Sequence, residues 1–254
     1  SIGELEAMKR FKGDIGIRAN LDVKVSSHWD KKFDQFGTPT ETLLKLDRIK
    51  NLKILHFHLG SQIMDGDDIV KSAKSLMKLY WELRKIHPTL DTIALGGGFA
   101  APYEKKKLYS FETVAKKVIK TVQSLADKAG VPHPNIIVEW GRAVAAPAQL
   151  TIFKVVHSKP IKNGSKKMWY VIDGSFMNDL LDTWAIHQKW HVIPANRMYA
   201  RKMVQSWLAG SSCDSDDKYT AHGTYVKLPD IEDLAEDESQ YIAIFDTGAY
   251  QDAL

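Results

Sequence analysis

Four short apolar runs start near Ile15, Ile54, Thr92 and Ile136, at steps of 39, 38 and 44 residues. Helix-period segments lie between them. Residues 67–87 carry Ile69, Val70, Ala73, Leu76, Met77, Tyr80, Leu83 and Ile86 at three- and four-residue steps. Phe111, Val114, Val118, Ile119, Val122 and Leu125 mark the next helix, with Gly130 as its stop. Residues 4–12 read as a helix, and Thr38-Pro39 as a cap and first turn of another. A strand–helix unit repeated at this pitch predicts a parallel sheet with helices outside, either a barrel or an open doubly wound sheet. A closed barrel takes eight strands and about 250 residues. Four strands make either an open sheet or half a barrel.

The period changes after Val144. Segments 150–156, 168–172, 192–193 and 241–245 read as short strands. Segments 178–187 and 196–207 read as helical, 157–167 as a polar connector, and 228–240 as an acidic surface loop. The expected division is residues 1–145 for the strand–helix part and 146–254 for a mainly β part with helical insertions.

Composition narrows the function classes. A net charge of +4 spread over mixed acids and bases gives no nucleic-acid footprint. No apolar run approaches the roughly 20 residues that cross a bilayer. The sole cysteine, Cys213, excludes an intrachain disulfide and fits a cytoplasmic setting. The chain opens on Ser1, without Met or signal peptide, which leads us to expect a partial polypeptide.

Chemistry-bearing residues collect at the predicted carboxyl ends of the strands, the edge where α/β proteins bind ligands. They are Arg18, the stretch from His58 to Ser61, the turn Gly96-Gly97-Gly98, and Glu139-Trp140-Gly141-Arg142. A glycine turn exposes backbone N–H groups that can cradle phosphate, though its plainer reading is a tight strand exit. Ser61 and Arg142 could add a hydroxyl and a fixed cation. His56 and His58 share one face of a strand. They could bind zinc given a third ligand, or His56 packs inside while the flat ring of His58 reaches the site. Glu139, read as a buried acid, either pairs with Arg18 or Arg142 or keeps a pyridinium nitrogen protonated. Cys213, in a small and acidic loop, suits a proton donor better than a nucleophile, and Asp214 could hold a cationic substrate tail. Tyr250 is another phosphate ligand or a packed aromatic at a strand end.

Taken together, the motifs resemble the pyridoxal-phosphate-dependent decarboxylases of basic amino acids that share the alanine-racemase fold, the biosynthetic arginine decarboxylases above all. The resemblance rests on His56-Phe57-His58-Leu59-Gly60-Ser61-Gln62, Gly96-Gly97-Gly98, Glu139-Trp140-Gly141-Arg142, Asp182-Thr183-Trp184-Ala185-Ile186, Cys213-Asp214-Ser215-Asp216 and Gly248-Ala249-Tyr250-Gln251. It covers essentially the whole chain. It implies that residues 1–145 are the C-terminal half of a pyridoxal-phosphate-binding (β/α)8 barrel and that a β-barrel-like domain follows. It implies that Arg18, His58, Ser61, Gly96, Gly97, Gly98, Glu139, Gly141, Arg142 and Tyr250 surround the cofactor. His58 would stack on its ring and Glu139 would pair with the pyridine nitrogen. Cys213 would return a proton after carbon dioxide leaves, and Asp214 would hold the distal cation of the amino acid. The resemblance implies a homodimer or higher oligomer with shared sites, arginine converted to agmatine for polyamine synthesis, and a magnesium requirement in some members.

Two departures matter. The family's Schiff-base lysine sits in a Lys-Val/Cys-Asn context on an early strand, and Lys24 in Asp22-Val23-Lys24-Val25 does not match it. Gln35, rather than a lysine, precedes Phe36-Gly37. The expectation is therefore a fragment of a decarboxylase that is inactive alone. The competing readings are a non-catalytic, partner-binding relative of the decarboxylases and a metal-dependent barrel hydrolase built on His56 and His58.

Overall fold

The computed structural model describes residues 1–25, 27, 35–105, 107–219, 225–232, 234–235 and 238–251. The chain divides into two compact units. One holds Ser1–Ala100 with Leu108–Arg142, and the other holds Ala101–Lys107 with Ala143–Leu254.

The first unit contains α1 (Ile2–Ala7), β1 (Ile15–Asn20), β2 (Thr38–Pro39), α2 (Thr40–Leu43), β3 (Leu52–His58), α3 (Gly66–Ile86), β4 (Thr92–Gly96), α4 (Phe111–Ala129) and β5 (Asn135–Glu139). The strands form one five-stranded sheet in the order β2-β1-β3-β4-β5, every pair parallel. The pitch of the sequence thus yields the parallel sheet it predicts. One expectation fails here. Thr38 and Pro39 do not start a helix but pair with Ala19 and Asn20 as β2, and α2 follows without a side-chain cap. A proline can stand there because β2 is an edge strand.

Two long helices pack on the sheet. In α3, the Asp65 carboxylate accepts the Asp67 N–H at 2.9 Å, and Arg84 and Lys85 sit in the last turn. Both features favour a helix dipole. Ile69, Ala73, Leu76, Met77, Tyr80 and Leu83 form its buried stripe. The stripe of α4 is narrower than the sequence suggests. Val114, Val118, Val122 and Ala126 are buried, whereas Phe111 and Ile119 are nearly half exposed. Gly130 ends α4 in the left-handed conformation, φ 64°.

The sheet has two unequal faces. On β3, Leu55 and Phe57 are buried, while Ile54, His56 and His58 on the other face are only partly covered. On β5, Ile137 and Val138 are both 43% exposed. The prediction of a buried strand at 136–139 is therefore corrected: β5 is an edge strand.

In the second unit, α5 (Gly141–Ala145, which begins in the first unit) is followed by β6 (Leu150–Pro160), β7 (Lys167–Ile172), α6 (Asp182–Ala185), β8 (Val192–Pro194), β9 (Met203–Ala209), β10 (Lys218–Tyr219), β11 (Val226–Pro229) and β12 (Gln240–Phe245). These strands form a sheet of order β10-β9-β7-β6-β12-β8, with β11 also paired to β9. Only β7 and β9 run parallel. Phe153, Tyr170, Ile172, Phe176, Leu208, Ile242 and Ile244 lie in its core.

Three local readings are corrected here. The helix expected over 196–207 is in large part β9, because Ser206 and Leu208 alternate inward and both flanks find strand partners. The connector at 157–167 is strand as far as Pro160. Leu228, Pro229 and Asp230 are buried at the end of β11 rather than exposed in a loop.

Two buried phenols make this unit sensitive to alkali. The Tyr170 hydroxyl donates to the Pro229 carbonyl at 2.8 Å, and the Tyr219 hydroxyl accepts the Trp190 N–H at 2.8 Å. Burial raises both phenols to about 12. The unfolded chain loses these protons near pH 10, before the folded chain does. The associated stability is complete below about pH 10 and is lost as pH rises toward about 12. Urea melts across that window are expected to show a falling midpoint. The slope should flatten in Tyr170→Phe/Tyr219→Phe.

Candidate functional site

Parallel pairing brings the carboxyl ends of the strands to one edge. Arg18 is in register with His56, His58 with Gly96, and Gly96 with Glu139. Three of the features singled out in the sequence, at His58, Gly96 and Glu139, therefore share one row, and Arg18 stands on the row of His56, two residues before His58.

Glu139 is half exposed rather than buried, since it ends an edge strand. Its observed partner is neither of the arginines considered but His56, whose Nε2 lies 3.3 Å from Glu139 Oε2. Gly96 lies beneath this contact. A Cβ there would stand 2.5 Å from His56 Nε2 and 2.8 Å from Glu139 Oε2. Among the described residues, no group of three or more His, Cys, Asp or Glu side chains could hold a metal ion.

The glycine turn is strapped to the loop after β3. Leu59 N–H donates to the Gly96 carbonyl at 3.1 Å, and Ile63 N–H to the Gly98 carbonyl at 2.8 Å. Gly97 has φ 64° and Gly98 φ 109°, which favour glycine. A Cβ on Gly97 would meet His58 Nε2 at 2.4 Å, so the imidazole lies directly against the turn.

Ser61 and Arg142 are 81 residues apart in sequence, and Arg142 Nε donates to Ser61 Oγ at 3.0 Å. The hydroxyl of Ser61 keeps its own proton for a further acceptor. Arg18 holds its guanidinium 4.8 Å from the centre of the Phe36 ring and lines a cavity of about 740 Å³ with Phe36 and Phe11. Gly141 opens α5, and a Cβ there would meet nothing within 4 Å, so its neighbourhood does not require glycine.

The second unit carries the other three residues. Cys213 and Asp214 are exposed in the loop between β9 and β10. One Asp214 carboxylate oxygen accepts the Asp216 N–H at 2.8 Å. Tyr250 follows β12 at φ 68°, a backbone conformation that costs a non-glycine residue about 1 kcal/mol or more.

Sequence reasoning missed the residues that brace these loops. Ser27 Oγ accepts the Ser61 N–H at 3.1 Å and donates to the Ser61 carbonyl at 3.4 Å. Tyr109 accepts the Ala100 N–H and donates to the Ile63 carbonyl at 2.9 Å, which ties the loop after β4 to the loop after β3. Neither carries a local signal, because each acts on backbone distant in sequence. Ser27→Ala is expected to cost the first unit about 1 kcal/mol, read as a lower urea midpoint. Ser27→Thr, which keeps the hydroxyl, should lose less.

The site offers a hydroxyl paired to a fixed cation, a glycine turn closed to a Cβ, a flat imidazole and a carboxylate. Residues 2–146 match the model of the pyridoxal-dependent decarboxylase pyridoxal binding domain, and residues 113–248 match that of the decarboxylase C-terminal sheet domain. The biosynthetic arginine decarboxylase of Geobacter sp. (strain M21) is 25% identical, over 94% of this chain and 56% of its own length. The diaminopimelate decarboxylase of Methanocaldococcus jannaschii is 29% identical, over 98% of this chain and 58% of its own. The crystal structure of the biosynthetic arginine decarboxylase of Campylobacter jejuni shares the fold, with a TM-score of 0.80 at 22% identity over 99% of this chain and 57% of that one. The chain thus spans a little over half the length of these relatives.

Proposed function

We propose that this chain, which belongs to the pyridoxal-dependent decarboxylase family, serves the decarboxylation of a basic L-amino acid, with arginine converted to agmatine in the polyamine route. The observation that carries this reading is the Arg142–Ser61 hydrogen bond beside the glycine turn, on the same sheet edge as Glu139. A guanidinium, a hydroxyl and turn N–H groups suit a phosphate dianion. A carboxylate at the next strand end suits a protonated ring nitrogen.

Bound pyridoxal phosphate would supply the electron sink for the electron pair left when carbon dioxide departs. The chain's own residues do the rest. Arg142, Ser61 and Gly96 to Gly98 would hold the phosphate, to which the resemblance adds Tyr250, and Arg18 and Gly141 would stand elsewhere around the cofactor. His58 would stack on the ring. Glu139 would accept the ring N–H and keep that proton in place. Cys213 delivers a proton to the carbon that has lost its carboxylate, and Asp214 pairs with the distal cation of the substrate. A homodimer is part of this reading, with Cys213 and Asp214 acting in the partner's site. Magnesium rests on the resemblance alone, and no side-chain set is assigned to it.

The test uses the full-length parent loaded with pyridoxal phosphate, offered arginine, lysine, ornithine and diaminopimelate in turn. Agmatine as the main amine product is expected. A parent that ignores arginine while decarboxylating another of the four would overturn the substrate. Borohydride reduction of residues 1–254 with the cofactor should label lysines only sparsely, since Lys24 lacks the family's context. A single stoichiometric adduct, read by peptide mass, would mean that the chain carries its own reactive lysine.

A further inference from the structure

We propose that Asp217 is the positioning residue of the Cys213–Asp214 loop, and that it fixes this loop within a single chain, before any second copy is met. The inference rests on the reading of Cys213 and Asp214 as site residues, but the contacts themselves do not.

Residues 211–216 are exposed, yet Asp217 is only 3% exposed. Its carboxylate bridges two separate pieces of backbone. One oxygen accepts the Phe176 N–H at 2.7 Å, and the other accepts the Ser212 N–H at 3.2 Å. Its main chain closes the loop from both sides. The Asp217 carbonyl accepts the Gly210 N–H at 2.8 Å, and the Asp217 N–H donates to the Asp214 carbonyl at 3.1 Å. A further bond, from Ser211 N–H to the Gly174 carbonyl at 2.9 Å, runs beside it. The two residues that carry chemistry are thus enclosed by bonds that converge on one residue, two on its side chain and two on its main chain.

Gly210 makes room for that side chain. A Cβ at this position would stand 2.2 Å from both carboxylate oxygens. Enclosing a carboxylate is costly unless hydrogen bonds compensate it. Here both oxygens are used, and only a carboxylate can accept from two amides in this way. Serine or alanine could not bridge the same span, and the asparagine amide has one acceptor oxygen and one donor nitrogen.

The test is residue-resolved amide exchange on the full chain at low concentration, without cofactor or amino acid. Its outcome therefore does not depend on the decarboxylase reading. The Ser212 and Phe176 amides should be protected in the native chain. In Asp217→Ala they should exchange roughly tenfold faster or more, the loss expected for a hydrogen bond to a charged acceptor. Asp217→Asn should lie between the two. Gly210→Ala should reproduce the loss, and Asp217→Ala/Gly210→Ala should be no worse than either alone, because both remove one shared contact. Amides of Trp207, Tyr170 and Ile242 should keep their protection. A nitroxide on Cys213, the only cysteine, should show slowed motion that these variants release. If Asp217→Ala fails to fold, Asp217→Asn and Gly210→Ala carry the same comparison. Protection of Ser212 that survives the loss of Asp217, or that appears only at concentrations where dimers form, overturns the proposal.

Discussion

Gly97→Ala is expected to destabilise the first unit by about 3 kcal/mol and to abolish saturable pyridoxal phosphate binding. Two costs combine. The position has φ 64°, which a side chain disfavours, and the new Cβ would stand 2.6 Å from the Gly60 carbonyl oxygen and 2.4 Å from His58 Nε2. The imidazole can swing away, but the carbonyl belongs to backbone held by neighbouring bonds. Relief therefore requires the loops after β3 and β4 to part, which dismantles the cradle. Urea melts followed by tryptophan fluorescence check the stability. Gly141→Ala is the contrast: nothing lies within 4 Å of its new methyl, and the midpoint should hold or rise slightly because alanine is the better helix former. Equal losses at both positions would mean that crowding at Gly97 is not the cause.

Arg142→Ala is expected to weaken pyridoxal phosphate binding about a hundredfold, as loss of a charge-assisted contact to phosphate should. Ser61→Ala should cost less, about tenfold, since it removes a neutral hydroxyl. The double variant should fall short of the product of the two. Arg142 Nε donates to Ser61 Oγ at 3.0 Å, so each side chain holds the other in place. Arg142→Lys should rescue little, because an ammonium lacks the fork that reaches a hydroxyl and a phosphate together. Spectroscopic titration with the cofactor reads all four variants, and competition by inorganic phosphate separates phosphate binding from ring binding. An affinity that Arg142→Ala leaves unchanged would remove the phosphate role.

Much of the first unit was legible because its signals are periodic. Leu55 and Phe57 against His56 and His58 is a period-two pattern, and the spacing from Ile69 to Leu83 in α3 is helical. Misreadings occurred where local pattern and partner disagree. Residues 196–207 contain no glycine or proline and read as helix, but β9 is decided by pairing with β7 and β11. Thr38-Pro39 has the local form of a helix start, yet backbone pairing with Ala19 and Asn20 claims it. Ile136, Ile137 and Val138 look like a buried strand, and exposure follows only from the position of β5 at the sheet edge.

By itself, the sequence determined the strand–helix pitch, the helix stripes and the kinds of residue at the strand ends, because these depend on neighbours a few positions away. Only the tertiary structure decided which of those residues touch. His56 meets Glu139 across 83 positions, Arg142 meets Ser61 across 81, and Asp217 meets Phe176 across 41. Contacts of that range depend on strand register and loop closure. A shift of one residue in a parallel pair turns every side chain to the other face, and no local pattern encodes that choice.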